Sequence, residues 1–219
     1  MGSSLALASW RSCTIAPPRR PRVLWTPWSF VRRVPPALSR EVDEDAPLVL
    51  AARHGDPEAF DELVRRHAAR LHAVARRLVG PSDAADSVQE CLMTAYQGLS
   101  RFRGDARFST YLHAILLRQC RRSARRRSRL VPWPDGELAS DGLGPAEHTE
   151  RRDVQRQVAE AIGLLPAPYR EAFVLRASAG LEYQEIAHAL GVPVGTVRSR
   201  ISRARERLRD AFEREGVVP

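Results

Sequence analysis

The 219-residue chain is predicted to be all-α, two small helical domains joined by a flexible linker. Three observations predict it. From Asp56 onward apolar residues recur at steps of three and four, the period of a helix with one buried face, and no stretch alternates as a half-buried strand does. Two such blocks flank residues 131–149, which are rich in Pro, Gly, Asp and Ser and have no period. The second block closes on two helical runs parted by Gly191, a helix-turn-helix.

Composition narrows the class. With 43% hydrophobic residues the chain can pack cores, and 35 basic against 26 acidic residues give a net charge of +9, which favours a polyanionic partner. All 35 are arginine, whose planar fork matches phosphate and guanine, although a GC-rich coding sequence also removes lysine. Cys13, Cys91 and Cys120 form no CxxC and have no histidine at ligand spacing, so neither a disulfide framework nor a zinc site is expected. No run of eighteen apolar residues occurs, so no membrane insertion is expected.

Residues 1–42 carry seven arginines, six prolines and three tryptophans, with no acid before Glu41, and are expected to be a disordered basic extension. A transit peptide or a start codon placed too far upstream stay open as alternatives. Asp56-Pro57 then starts a helix and Gly80-Pro81 stops it. Between them Phe60, Leu63, Val64, His67, Leu71, Val74 and Leu78 share one face. His67 and His72, five apart, do not face together as a metal pair would, and are read as core or boundary residues.

Ser82 is expected to cap the next helix, with Val88, Leu92, Ala95 and Leu99 as its buried stripe. Asp86, Gln89 and Glu90 lie outside that stripe and on composition alone make a solvated acidic face. Gly104 breaks the chain between Phe102 and Phe108, and a helix resumes near Ser109. Along it Arg118, Arg121, Arg122, Arg125, Arg126, Arg127 and Arg129 occur with no acid between them, near Phe102, Phe108 and Tyr111. Rings that stack bases at ~1–3 kcal/mol each, with arginines to follow phosphates, suit single-stranded DNA. The same aromatics suit a core, the expected place of Phe102 and Tyr111.

The linker, roughly twenty residues at ~3.3 Å each, reaches some 60 Å, more than one ~34 Å turn of DNA. The second domain begins near Glu150. Val154, Val158, Ile162 and Leu165, then Tyr169, Phe173 and Leu175, give the helices that support the helix-turn-helix. Ile186, Ala187 and Leu190 form the stripe of its first helix, Gly191 ends it in a left-handed conformation, and Pro193 opens the second. Gly195 is expected to let that turn approach another backbone closely. In the second helix Val197, Ile201, Ala204 and Leu208 point inward, leaving Thr196, Arg198, Ser199, Ser202, Arg203 and Arg207 on the other faces. Six arginines from Arg198 to Arg209 have only Glu206 as an acid among them, unlike a solvated helix that mixes signs. Such a face suits the major groove, where arginine reads guanine O6 and N7.

The segment LEYQEIAHALGVPVGTVRSRISRARERL resembles the minus-35-reading region of bacterial sigma factors of the extracytoplasmic-function (ECF) group. The resemblance implies base contacts by Arg198, Ser199, Ser202 and Arg203, and phosphate contacts by Thr196 and Arg200. DAADSVQECLMTAYQGLSRFRGDARFSTYL resembles the segment that docks such factors on core RNA polymerase, which implies that Asp86, Gln89 and Glu90 grip a polymerase coiled coil. Ser87 stands where the family usually has an aliphatic residue. The segment that follows is similar to the reader of the minus-10 element. That implies Arg103, Asp105, Phe108, Ser109 and Thr110 at an unstacked base, with Arg118, Arg121, Arg122 and Arg125 along the melted strand. On this reading residues 43–130 are region 2 and 150–215 region 4. The protein is then a cytoplasmic, non-catalytic factor without cofactor or metal, partnered by core polymerase, promoter DNA and an anti-sigma factor.

Two other classes weigh less. A helix-turn-helix regulator acting without polymerase would not need the Asp86-Gln89-Glu90 face, and would need a dimer interface or sensor domain. A nuclease or recombinase needs carboxylates clustered for metal ions, and Glu182, Glu185 and the acids near Asp83 form no such cluster.

Overall fold

The computed structural model describes residues 43–130 and 149–214; the predicted N-terminal extension and nearly all of the linker lie outside them. The described residues form eight α-helices and no strand: α1 (Ala46–Arg53), α2 (Pro57–Val79), α3 (Pro81–Gly98), α4 (Phe108–Leu130), α5 (Thr149–Gly163), α6 (Ala167–Ala179), α7 (Tyr183–Leu190) and α8 (Val194–Arg214). A 3-10 turn, Leu99–Arg101, follows α3.

Local chemistry accounts for the boundaries. Asp56 caps α2, its Oδ1 accepting from the amides of Glu58 at 2.9 Å and Ala59 at 3.3 Å, with Pro57 in the first turn where no amide partner is needed. Gly80 ends α2 at φ +84°, a conformation that strains a residue bearing a Cβ. It is also the residue from which α3 starts, so Ser82 is not the expected cap. It falls within the first turn of α3 and donates to Asp83 Oδ1 at 3.4 Å.

Helix α1 is not among the elements that the sequence pattern predicts. Eight residues with Pro47 in the first turn give too short a period to recognise. It docks through Val49 and Ala52, and Asp45 just before it meets His67 Nε2 at 2.6 Å, which makes His67 a buried, partnered residue.

Leu63, Leu71 and Val74 of α2, Val88, Cys91 and Ala95 of α3, and Leu112, Leu116 and Leu117 of α4 make a three-helix core. Each valine or leucine among them contributes about 1.5–3 kcal/mol on leaving water. Ser87, the departure from the family pattern, is buried and hydrogen-bonded to Cys120. Cys91 and Cys120 are free, and burial pushes both thiols up to about 12. The second module wraps Ile162 and Leu165, Val174 and Leu175, Ile186 and Ala187 around Val197, Ile201, Ala204 and Leu208 of α8. The two modules also pack together, α6 against α2 and α7 against α4.

Candidate nucleic-acid and polymerase interfaces

Helix α8 presents the arginine face that its period predicts. Gly191 adopts φ +69°, ψ +35° after α7, turning the chain so that Val197, Ile201 and Ala204 are buried while Arg198, Ser199, Ser202 and Arg203 stay exposed. Thr196 and Arg200 are half-buried at its flank. Gly195 does not make the expected close approach to a backbone: a Cβ there would meet no atom within 4 Å, so the space before it is open. Ser199 Oγ donates to the Thr196 carbonyl at 2.9 Å, which folds the hydroxyl back on its own helix.

Two tyrosines outside α8 organise its arginines. Arg203 Nη1 donates to the Tyr169 hydroxyl at 3.4 Å, and the Arg207 guanidinium lies 5.5 Å from the same ring. The Arg203 guanidinium holds the Tyr169 phenol below its ordinary range. Tyr183 carries Arg176 at 5.4 Å and Arg198 at 6.0 Å. A groove beside α8 is lined by Tyr183, Arg198, Ser202, Arg205 and Arg209.

The aromatic-basic segment divides. Phe108, expected at an unstacked base, is 1% exposed and packs in a ring cluster, 6.1 Å from Phe102, 6.0 Å from Tyr111 and 5.8 Å from His67. As placed it anchors the start of α4 and offers no face to a base. Thr110 is fully buried too, its Oγ1 donating to Glu185 Oε1 of α7 at 3.3 Å. Arg103 and Asp105 in the loop are exposed, and Ser109 is half-buried.

Along α4 the arginines fall into different roles. Arg127 ion-pairs with Asp83 and donates to the Val79 carbonyl at 3.0 Å, fastening α4 to the α2–α3 junction. Burial alone would raise the Asp83 carboxyl, but hydrogen bonds from Arg127 and Ser123 outweigh it and hold the group below its usual range. Arg121 forks onto Glu171 of α6, Nε to Oε1 at 2.8 Å and Nη2 to Oε2 at 2.7 Å. Burial lowers the Arg118 guanidinium. Arg122, Arg125 and Arg126 are exposed, and the side chain of Arg129 lies outside the described residues.

On α3, Asp86, Gln89 and Glu90 are all exposed, opposite a stripe in which Val88, Ala95 and Leu99 are buried and Leu92 partly so. Met93 and Tyr96 are exposed large hydrophobics of the same helix, at 44% and 54%. Among the described residues no group of three or more His, Cys, Asp and Glu is placed to hold a metal ion, and no helix is long and apolar enough to cross a membrane.

Residues 63–130 match the family profile described as Sigma-70 region 2, and residues 155–208 match Sigma-70, region 4. The chain belongs to the sigma-70 family. Its relatives place it in the ECF group. It is 35% identical over 173 residues to the ECF RNA polymerase sigma-E factor of Escherichia coli, covering 74% of this chain and 91% of that one. It is 34% identical over 183 residues to the RNA polymerase sigma-H factor of Pseudomonas aeruginosa, covering 78% and 95%. Among solved structures it is similar to CnrH in complex with the cytosolic domain of CnrY, with a TM-score of 0.61, 31% identity and coverage of 77% and 97%. It is also similar to the sigma factor RpoE bound to the anti-sigma factor NepR from Bartonella quintana, with a TM-score of 0.61, 30% identity and coverage of 71% and 98%.

In this sigma factor the sequence reading missed Tyr169 and Tyr183 as partners of the region 4 arginines, and Glu171 and Glu185 as partners of region 2. A signal existed for the acids. Glu171 precedes the buried Ala172, and Glu185 precedes the buried Ile186 and Ala187, so each stands beside an apolar stripe where an unpaired charge would be costly. Glu185 also sits three residues after Glu182, the spacing of a capping box, and accepts from the Glu182 amide at 2.8 Å.

Proposed function

We propose that this sigma factor binds core RNA polymerase through the Asp86, Gln89 and Glu90 face of α3 and directs it to promoters, reading the minus-35 element with α8 and the melted minus-10 strand with α4. The observation that carries this is the outward display of α8: Val197, Ile201, Ala204 and Leu208 are buried in the core, while Arg198, Ser199, Ser202 and Arg203 stay exposed on the other faces, the arginines steered by Tyr169 and Tyr183. Arg198 and Arg203 supply bidentate forks for guanine, Ser199 and Ser202 short hydroxyls, and Thr196 and Arg200 phosphate contacts. Arg103, Asp105, Arg122 and Arg125, which are exposed, and half-buried Ser109 are the groups of region 2 that meet the strand on this reading. The factor supplies recognition and strand opening, while bond formation belongs to the polymerase. It acts in the cytoplasm and takes an anti-sigma factor as inhibitor, by analogy with relatives solved in complex with such partners.

Run-off transcription with purified core enzyme tests the reading. A transcript should appear only when the factor is added. With Arg203→Ala, losing a bidentate contact should cost about 1–3 kcal/mol at one minus-35 base pair and leave the other positions as they were. Duplex binding with no transcript would instead make the chain a helix-turn-helix regulator.

A further inference from the structure

Helix α8 carries its arginines in two stripes, and one of them runs past a tyrosine that belongs to α6. Arg200, Arg203 and Arg207 stand at steps of three and four, so they share one side of the helix. Tyr169, in the first turn of α6, meets that side. Its hydroxyl accepts from Arg203 Nη1 at 3.4 Å, and its ring lies 5.5 Å from the Arg207 guanidinium.

The tyrosine is the stiffer partner. The Pro166 carbonyl accepts the Tyr169 amide at 2.9 Å and fixes this turn of α6, and the ring is half-buried against the core. Its few side-chain torsions then set the hydroxyl, whereas the longer Arg203 has more freedom to lose on binding. The chemistry of the acceptor matters as much as its place. Among the described residues Arg203 forms no ion pair, and its Nε and Nη2 groups have no hydrogen-bonding partner. A carboxylate in place of the phenol would draw both arms of the fork and offset its charge. A phenol takes one N–H, leaves the charge whole and leaves the rest of the fork to a base. The contact is felt on the tyrosine too. The hydrogen bond from Arg203, with the charges of Arg207 and Arg200 behind it, holds the phenol below its ordinary range.

We propose that Tyr169 is a positioning residue for promoter recognition: its hydroxyl holds the Arg203 fork in the orientation that reads a minus-35 guanine, so the base preference of α8 is set in part from α6. The contact is made before DNA arrives. A fork already oriented gives up less freedom on binding, which strengthens the right base without adding a contact to it. A base that cannot accept both arms gains nothing from that orientation, so the effect is one of discrimination. This rests on the minus-35 reading of Arg203, and the test separates the two.

The full chain, bound to purified core polymerase, is given a pool of duplexes randomised across the promoter span, and sequencing of the bound fraction gives the base preference at each position. Arg203→Ala should erase guanine preference at one minus-35 position, which marks the base pair that Arg203 reads. Tyr169→Phe keeps the ring and its contact with Arg207. It should lower guanine preference at that same position about fivefold, the worth of one neutral hydrogen bond. The other positions, the helicity and the salt dependence should stay as they were, since no charge is removed. On the Arg203→Ala background Tyr169→Phe should change nothing. In free factor labelled at the phenolic carbon of tyrosine, NMR should show the Tyr169 phenol titrating below its ordinary range and moving up in Arg203→Ala. Guanine preference kept in Tyr169→Phe where Arg203→Ala has lost it overturns the positioning role and leaves the reading of Arg203 intact. Equal weakening on every sequence, an effect that persists without Arg203, or a phenol indifferent to Arg203→Ala overturns it as well, because Tyr169 would then touch phosphate or merely hold the fold. If Arg203→Ala leaves every position as it was, the reading of Arg203 fails, and the positioning role with it.

Discussion

Phe108 shows how one side chain can look like a ligand platform and be a keystone. It is an aromatic next to arginines in the sequence, yet its ring sits among Phe102, Tyr111 and His67 at 1% exposure. Phe108→Ala should therefore cost about 3–5 kcal/mol of stability, the usual loss for a buried ring, read as a lowered midpoint in urea. A base-stacking residue would leave the midpoint where it was and weaken strand binding only. His113, one helical turn further along α4, gives a pH dependence. Its Nδ1 meets the Ser109 carbonyl at 2.7 Å, its Nε2 has no hydrogen-bonding partner among the described residues, and burial lowers its pKa to about 4, with His67 and Arg70 opposing a further positive charge. The unfolded chain takes up this proton at pH near 6.5 and the folded chain only near 4. The neutral ring thus contributes its full stability above about 6.5 and loses it as pH falls through that window, ~3 kcal/mol in all. Urea midpoints compared between pH 7.5 and 4.5 should drop, and His113→Gln should flatten the drop.

At the scale of the element, α3 carries the sharpest functional test. Asp86→Ala with Gln89→Ala removes no buried contact and replaces two residues by the best helix former, so helicity and melting should hold. Capture by core polymerase should weaken by ~2 kcal/mol or more, about thirtyfold, if both side chains meet the enzyme at a desolvated centre. Retained capture in a pull-down would remove docking from this face. The helices themselves were largely legible, because α2, α4 and α8 are long enough to repeat their apolar step several times. Helix α1 was not, being eight residues, and the cap of α3 was misplaced because Gly80 ends one helix and begins the next with no residue between. The exposed face of α8 could be read from its own period. The burial of Thr110 could not, since the group that covers it is 75 residues away in the chain.

Over the whole molecule, a net charge of +9 carried entirely by arginine makes affinity for duplex DNA strongly salt-dependent. Arg200→Gln should make the slope of log affinity against log salt shallower by about 0.9, one phosphate's share, with base preference unchanged. Fluorescence anisotropy on promoter duplexes at several salt concentrations measures it, and an unchanged slope would place Arg200 off the phosphates. Charge also joins the modules to each other, and Glu185 does so while serving its own helix. One oxygen holds the Glu182 amide at the start of α7, and the other receives Thr110 from across the boundary. In Thr110→Val that hydroxyl is lost, the carboxylate should gain rotational freedom, and the amide it fastens should be held less firmly. The first turn of α7 then frays more readily, and deuterium enters there ahead of the surrounding helices. A contact made by α4 is thereby recorded as the stability of a single helix end on α7.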